Sequence, residues 1–362
     1  MQNSVQELVD NYLSVRSCHL DYNDPRFWHI IKSLHSYHIG HCTDYSLISS
    51  NFPVDGSISS LPFVPVSLFK DYPIKSISSD QIYRTLTSSG TTGQLPSKIY
   101  LDRVNSRHQQ VALSRLFSAN TGLVRPNILI IDTPSTASRA APFTARKAGI
   151  LGFSSLCRKV FFALNDDYSV DYISLKAALS NSHQLLVFGF TYVIFKYLLD
   201  SITDFPAIPP NLNIVLLHGG GWKKLESLSL STSDFNELVY LKTNIKKTIN
   251  YYGMVEQTGS LFFECSSGFM HTNSLASIIP RDISSLTPDY SLGSHPRILQ
   301  VFSALPTSYP GHSLLTDDLA SLPYHVNQCT CGRPGLAFKI HGRLPKSEPR
   351  GCSDTHQQIP RA

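Results

Sequence analysis

The 362-residue sequence contains no apolar stretch long enough to cross a membrane. Its N-terminus, M-Q-N-S-V-Q-E-L-V-D, lacks the basic region and the apolar run of a secretory signal peptide. No block of lysine and arginine residues occurs, and the formal net charge is only +5. We therefore expect a protein without a membrane span, without a secretion signal and without a nucleic-acid partner.

Cysteine is scarce as well. Seven cysteines, an odd number, are scattered along the chain and do not form a recognisable disulfide framework. This usage is typical of a reducing compartment, so we expect a cytoplasmic protein whose thiols are free or bind a metal. Hydrophobic residues make up 42% of the chain and charged residues 16%, as in folded globular proteins. The length favours two domains or one large α/β domain.

Apolar runs of strand length recur in the middle of the chain. Residues 127–132, 184–190 and 213–217 are nearly continuous apolar runs without alternation, which is typical of strands buried on both faces of a parallel sheet. Helical patterns at 171–180 and 192–202 separate these runs and indicate βαβ units. The sequence therefore predicts an α/β fold with mainly parallel sheets flanked by helices.

The two ends of the chain differ from this middle part. Val5, Leu8, Val9 and Leu13 recur at helical spacing near the N-terminus. Shorter strands follow after about residue 260. We predict four parts, which are a helical segment at 1–60, an α/β core at 61–260, a smaller β-rich part at 261–343 and a C-terminal tail at 344–362.

Four histidines lie within the N-terminal helical pattern, namely His29, His35, His38 and His41. Their spacing scatters them around a helix instead of placing them on one face. We predict exposed or hydrogen-bonded histidines here, not a metal site.

The strongest local signal is R-T-L-T-S-S-G-T-T-G-Q at 84–94. Its glycines permit a tight turn, and its hydroxyl and backbone N–H groups form a nest suited to phosphate oxygens. The G-K-[ST] of a P-loop is missing, and a surface loop rich in serine and threonine is the alternative. The candidate phosphate-binding residues are Ser88, Ser89, Gly90, Thr91, Thr92 and Gly93.

Further motifs follow in order along the chain. H-G-G-G comes directly after the run 213–217, and glycines at the carboxyl end of a parallel strand let a nucleotide approach the backbone. Glu256, in Y-G-M-V-E, is suited to holding Mg²⁺. Asp318, in T-D-D, is a candidate acceptor for ribose hydroxyls, and Arg343, in H-G-R, is a permanent cation. The candidate residues are Gly219, Gly220, Gly221, Tyr252, Gly253, Glu256, Asp318 and Arg343.

In this order the motifs resemble those of the adenylate-forming superfamily, which activates carboxylic acids with ATP. S-S-G-T-T-G resembles its phosphate loop, G-G-G its adenine-side turn, Y-G-x-x-E its magnesium-side motif and G-R its hinge arginine. T-D-D resembles T-G-D, which places Asp318 at the ribose. Asp317 stands where glycine is common, so it has no assigned role.

Longer segments narrow the resemblance to the acyl-protein synthetases of bacterial bioluminescence. These segments are P-V-S-L-F-K, L-T-S-S-G-T-T-G-Q, L-P-T-S-Y-P-G-H-S-L-L-T-D-D-L and the terminal G-R-L-P-K-S-E-P-R-G-C-S-D-T. The resemblance implies ATP- and Mg²⁺-dependent activation of a long-chain fatty acid as acyl-AMP. It also implies an acyl-protein reductase as partner, with an acyl-transferase as a further candidate. Residues 61–260 would bind the nucleotide, and 261–343 would complete the active site.

Only nineteen residues follow Arg343. Acyl-CoA ligases of the superfamily continue beyond this point with a small lid domain, which nineteen residues are too few to build. We therefore expect the full C-terminal lid domain to be absent.

Two separated pairs of residues form a candidate zinc site. E-C-S-S-G-F-M-H contains Cys265 and His271, and C-T-C-G-R contains Cys329 and Cys331. Three thiolates and one imidazole suit structural Zn²⁺, although C-x-C is a tight spacing. The alternative is two unrelated pairs. Similar pairs in related phenylacetate-type ligases favour zinc.

The C-terminal R-G-C-S-D-T places Cys352 in polar surroundings. A thiol there can accept an acyl group as a thioester, and the neighbouring Arg350 and His356 would favour the thiolate. Together with the resemblance, this predicts Cys352 and Glu256 as catalytic residues of an acyl-protein thioester ligase. The alternatives are an acyl- or aryl-CoA ligase with a truncated lid and a non-catalytic scaffold subunit of a reductase complex.

Overall fold

The computed structural model describes residues 2–14, 25–52, 55–88, 95–141, 144–220, 230–323 and 329–344. The chain divides into two units. The first holds the described residues of Met1–Ser88, Leu95–Leu116 and Gly253–Glu348, and the second holds those of Phe117–Tyr252. The four parts predicted from the sequence divide the chain differently and stay a prediction. Within the described residues, no helix combines the length and the apolar character that a membrane span requires.

The second unit is built on a parallel sheet. Five of its strands lie in the order β5-β4-β6-β7-β8, and all four pairings are parallel. Helices connect the strands. The elements are β4 (Asn127–Ile130), α6 (Pro134–Ala137), α7 (Ala145–Ser154), β5 (Val160–Phe162), α8 (Tyr172–Ser180), β6 (Gln184–Phe190), α9 (Thr191–Val193), a π-helix (Ile194–Leu199), β7 (Asn213–Gly219), α10 (Thr232–Thr243) and β8 (Thr248–Tyr252).

The apolar runs of the sequence form the central strands of this sheet. The runs at 127–132 and 184–190 contain β4 and β6, and the run at 213–217 forms most of β7. Their central residues are buried because the sheet of a βαβ fold is covered on both faces. The pattern at 171–180 forms α8, whereas the one at 192–202 forms α9 and the π-helix.

The first unit is built mainly on an antiparallel sheet. Its strands lie in the order β10-β14-β13-β12-β11, and β1 pairs with β13 in parallel. A separate hairpin pairs β2 with β3. The elements are α1 (Gln2–Ser14), α2 (Pro25–His41), α3 (Thr43–Ser49), β1 (Val64–Pro65), α4 (Leu68–Asp71), β2 (Arg84–Thr87), β3 (Lys98–Leu101), β9 (Phe262–Phe263), β10 (Met270–His271), β11 (Ala276–Arg281), β12 (Gly293–Ser303), β13 (Ser313–Leu322) and β14 (Ala337–Arg343). Helix α5 (Arg103–Thr121) has residues in both units.

The N-terminal helices carry the four clustered histidines. His29 and His41 are exposed, whereas His35 and His38 are buried. The Nε2 of His38 lies 3.0 Å from the carbonyl oxygen of Pro306. Because a carbonyl only accepts, this nitrogen carries the proton. The prediction of exposed or hydrogen-bonded histidines is confirmed.

The buried histidines form one cluster with a tyrosine and a serine. His38 accepts at Nδ1 from the Ser76 hydroxyl (2.7 Å), and its ring stacks on that of His312 with centroids 5.0 Å apart. The Tyr45 hydroxyl lies between His35 Nδ1 (2.8 Å) and His312 Nε2 (3.1 Å). Burial lowers the pKa of His38 to about 3 and holds the pKa of His312 well below its usual range. The cluster is therefore neutral at physiological pH.

Acidification should destabilise the protein through this cluster. In the unfolded chain each histidine titrates near pH 6.5, roughly. As the pH falls below this value the unfolded state binds protons that the folded state does not. Each buried histidine therefore costs about 1.4 kcal/mol of stability per pH unit until its folded pKa is reached. We expect the melting temperature of His38→Gln to fall less than that of the wild type when the pH is lowered from about 7 to about 5.

The exposed His183 supplies the control. His183→Gln should show the same acid sensitivity as the wild-type protein. An unchanged pH dependence in His38→Gln would contradict the assignment of this loss to the buried cluster.

Candidate functional site

The predicted phosphate loop connects β2 to β3. Thr87 and Lys98 are the last paired residues of this hairpin. Ser88 N donates to Ser97 O at 3.1 Å, and Ser97 N donates to Ser88 Oγ at 2.9 Å. These reciprocal bonds hold the two ends of the loop together. The other predicted phosphate-binding residues, Ser89, Gly90, Thr91, Thr92 and Gly93, lie outside the described residues.

Glu256 lies in a single 3₁₀ turn, Val255–Gln257, and is only 7% exposed. Burial raises the pKa of its carboxyl group, and the nearby Asp318 acts in the same direction. Ser97 and Arg343 act in the opposite direction. A buried carboxylate is costly unless a cation or hydrogen bonds compensate its charge. This carboxylate is therefore suited to holding a hard cation such as Mg²⁺.

Asp318 and Arg343 face each other on neighbouring strands. They are paired in the register of β13 and β14, and Arg343 Nε donates to Asp318 Oδ1 at 2.8 Å. The Asp318 backbone N–H also donates to Thr316 Oγ1 at 3.2 Å. The bond from Arg343 orients the Asp318 carboxylate, and the bond to Thr316 holds its backbone.

The neighbouring Asp317 is half-buried. Burial raises the pKa of its carboxyl group, Arg343 opposes this rise and Asp318 adds to it. Glu256 also interacts electrostatically with Asp318 and Arg343, so these charged groups influence one another's ionisation. The structure therefore brings three predicted site residues together in the first unit, although they are distant in sequence.

The glycine turn after β7 is held by a threonine and a histidine. Thr191 Oγ1 donates to Gly220 O at 2.9 Å, and His218 Nδ1 lies 2.9 Å from the same hydroxyl. A Cβ at Gly219 would lie 2.6 Å from the Tyr251 ring, and Gly220 has a φ of +79°. Both positions therefore require glycine. Gly221, the third predicted residue of this turn, lies outside the described residues.

The Y-G-x-x-E motif begins where β8 ends. Tyr252 is the last residue of that strand. Gly253 follows, and a Cβ there would lie 2.3 Å from the Leu261 side chain. A leucine methyl group can move aside, so this contact favours a small residue beside the turn that carries Glu256 without requiring glycine.

The two Cys/His pairs meet at the edge formed by β10 and β14. Cys265 Sγ lies 3.8 Å from Cys329 Sγ, and Cys331 Sγ lies 3.4 Å from His271 Nε2. All four potential ligand atoms lie within 4.8 Å of one another. The two pairs are therefore neighbours in space, next to the pairing of β10 with β14.

The distance of 3.8 Å between Cys265 Sγ and Cys329 Sγ fits a tetrahedral zinc ion. With Zn–S bonds of about 2.3 Å, two thiolates on a tetrahedron lie about 3.8 Å apart. The backbone N–H groups of Ser267 and Arg333 donate to Cys265 Sγ and Cys331 Sγ at 3.4 Å and 3.3 Å. His271 Nδ1 lies 3.3 Å from Pro334 O, which places the proton on Nδ1 and leaves Nε2 for a metal.

Some contacts around Glu256 involve residues that the sequence analysis did not single out. Ser97 affects its carboxyl group, and the Tyr309 hydroxyl donates to its backbone carbonyl at 2.8 Å. Tyr309 lies in one of the segments that carry the family resemblance. It is uncharged and belongs to none of the short motifs, so the sequence did not indicate a role for it. Cys352, the predicted acceptor, lies outside the described residues.

The fold defines the class of protein first. The chain is similar to a crystal structure of 2-hydroxyisobutyryl-CoA ligase in an open conformation, with a TM-score of 0.62, 14% identity, and coverage of 89% of this chain and 75% of that chain. A postadenylation-state structure of that ligase with 2-HIB-AMP gives a TM-score of 0.63 at 14% identity, covering 91% and 70%. The predicted fold, that of the adenylate-forming ligases, is confirmed.

The sequence comparisons narrow the class. The long-chain-fatty-acid–luciferin-component ligase of Vibrio harveyi is 24% identical over 347 residues, which cover 90% of this chain and 85% of the relative. The protein of the same description from Aliivibrio fischeri is 23% identical over 321 residues, covering 82% and 78%. The family model "Acyl-protein synthetase, LuxE" matches residues 22–359, so the chain belongs to this family. The predicted family and enzyme class, an acyl-protein ligase, are confirmed, whereas the roles of individual residues stay predictions.

Proposed function

We propose that this protein activates a long-chain fatty acid with ATP and Mg²⁺ and then carries the acyl group as a thioester on Cys352 for an acyl reductase. The observation that carries the proposal is the family match over residues 22–359, which spans every predicted site residue. The grouping of Glu256, Asp318 and Arg343 supports it. The two luciferin-component ligases support a long-chain fatty acid as substrate and a reductase as partner.

The first step forms the acyl-adenylate. A carboxylate oxygen of the fatty acid attacks the α-phosphorus of ATP, and the bond to the bridging oxygen breaks to release pyrophosphate. Backbone N–H groups and hydroxyls of residues 88–93 stabilise the charge that builds on the phosphate oxygens. Asp318, oriented by Arg343, accepts the ribose hydroxyls. Glu256 holds Mg²⁺, which when bound neutralises phosphate charge.

The second step moves the acyl group to the protein. The Cys352 thiolate attacks the acyl carbon, the C–O bond to phosphate breaks, and AMP leaves with the electron pair. The product is a thioester, which remains reactive enough to pass its acyl group to a reductase. This step rests on the sequence around Cys352.

The adenylation step can be tested at two carboxylates. Glu256→Ala and Asp318→Ala remove the groups assigned to Mg²⁺ and ribose, so each should lower fatty-acid-dependent ATP–pyrophosphate exchange by about a hundredfold. Asp317→Gly is the matched control, because it changes the adjacent carboxylate to the glycine of the superfamily motif T-G-D. It should retain exchange. Unchanged exchange in both alanine variants would refute the assignment.

The acceptor can be tested by separating the two steps. Cys352→Ser should keep wild-type ATP–pyrophosphate exchange but lose the hydroxylamine-labile label that ATP and a radioactive fatty acid leave on the protein. Cys157→Ser, which changes a free cysteine elsewhere in the chain, should keep both. A labile label on Cys352→Ser would place the acceptor elsewhere. Acyl transfer that proceeds only after CoA is added would instead favour the CoA-ligase alternative.

We propose in addition that Cys265, His271, Cys329 and Cys331 hold a structural Zn²⁺. The ligand set and the close approach of its four ligand atoms support this. The cluster lies beside the pairing of β10 with β14, so an ion there would tie two distant segments of the first unit together.

Purified protein should contain about one zinc per chain. Cys331→Ser should lose the zinc and lower the melting temperature by roughly 5–10 °C, because a cross-link between two loops is removed. Cys157→Ser should change neither quantity. Full zinc content in Cys331→Ser would contradict the proposed zinc site. So would the absence of zinc from wild-type protein purified without chelators.

A further inference from the structure

The segment between β12 and β13, residues 304–312, is an irregular loop in which every residue is buried. Connecting loops normally lie on the surface, because buried backbone groups need hydrogen-bond partners that a loop does not supply itself. This loop, called the buried loop below, belongs to a segment that carries the family resemblance but has no role in the proposed mechanism. Its burial therefore requires an explanation.

Neighbouring parts of the first unit supply the partners of the buried loop. Its carbonyl groups accept hydrogen bonds from groups of four separate segments. These bonds are Asn105 Nδ2 to Leu305 O (2.8 Å), His38 Nε2 to Pro306 O (3.0 Å), Ser76 N to Ser308 O (2.7 Å) and Gln257 Nε2 to Gly311 O (2.8 Å). Each bond pins one point of the loop, so its backbone has little freedom to shift.

The buried loop in turn contacts the backbone of Glu256. The Tyr309 hydroxyl donates to Glu256 O at 2.8 Å. A Cβ at Gly311 would lie 3.0 Å from the same oxygen, so this glycine permits the close approach. The next residue, Gln257, donates to Gly311 O and also to Val301 O at 2.9 Å. The 3₁₀ turn that carries Glu256 is thus bonded to the buried loop at two points and to β12 at a third.

We propose that the buried loop positions Glu256 for its cation and that Tyr309 is the chief positioning residue. This inference rests on the proposed function, in which Glu256 holds Mg²⁺ at the phosphates of ATP. Tyr309 itself touches the backbone of Glu256, not the reacting atoms. It acts by fixing the turn from which the carboxylate projects.

The chemistry of Mg²⁺ explains why such fixing matters. The ion demands nearly ideal octahedral geometry with oxygen ligands at about 2.0–2.1 Å, so a carboxylate on a shifting turn binds it poorly. A single 3₁₀ turn has too few internal hydrogen bonds to hold its own position. Hydrogen bonds from the buried loop fix the position of the turn and therefore of the Glu256 carboxylate.

The test compares two tyrosines that make the same kind of bond. Tyr309→Phe removes the hydroxyl that donates to Glu256 O and keeps the buried ring. Tyr12→Phe, the control, removes a buried hydroxyl that donates to Ser274 O at 2.5 Å in the same unit. Fatty-acid-dependent ATP–pyrophosphate exchange is measured on the full chain over a range of Mg²⁺ concentrations, with the melting temperature of each variant.

We expect Tyr309→Phe to raise the Mg²⁺ concentration for half-maximal exchange by about fivefold to tenfold, the factor that one lost hydrogen bond supplies. Saturating Mg²⁺ should restore exchange to within about twofold of the wild type, because the chemical groups remain in place. Tyr12→Phe should leave the Mg²⁺ dependence unchanged, even if its melting temperature falls as far as that of Tyr309→Phe. If Tyr309→Phe does not fold, Gln257→Met, which removes the donor to Gly311 O, carries the same expectation.

An unchanged Mg²⁺ dependence in the folded variant overturns the inference and leaves the proposed function standing. Equal shifts in Tyr309→Phe and Tyr12→Phe also overturn it, because they indicate a general loss of packing. Absence of exchange from the wild-type protein with every fatty acid overturns the proposed function and the inference together.

Discussion

The antiparallel pairing of β13 is the constraint on which the functional features of the first unit depend. Its register with β14 places Asp318 opposite Arg343. Through β14 the same sheet reaches β10 and the Cys/His cluster. Its pairing with β12 closes the buried loop that contacts Glu256. One set of strand pairings therefore organises the Asp318–Arg343 pair, the Cys/His cluster and the loop that contacts Glu256.

Burial of polar groups is the energetic cost of this arrangement. Glu256, His38 and Gln257 are all buried, and each would destabilise the unit if it lacked compensation. His38 and Gln257 make hydrogen bonds to loop carbonyls, so they stabilise the same backbone that they are buried against. Glu256 is different, because burial disfavours its charged form. A buried carboxylate held among fixed hydrogen bonds is the kind of group that a preorganised electrostatic site uses.

Much of the candidate site was predictable because its residues occur in short motifs. Gly219 and Gly253 belong to such motifs, and the close contact with the Tyr251 ring explains why position 219 is a glycine. Tyr309 could not be found in this way. Its contribution is one hydrogen bond to a backbone carbonyl, and no pattern in a single sequence reveals which carbonyl a buried hydroxyl meets.

The sequence by itself determined the family, the order of the motifs and the central strands of the parallel sheet, because these depend on local composition and on continuous apolar runs. Only the tertiary structure decided that Cys265 and His271 meet Cys329 and Cys331, and that Arg343 orients Asp318. Such contacts depend on strand register, and register is set by packing across the whole sheet instead of by neighbours in the chain.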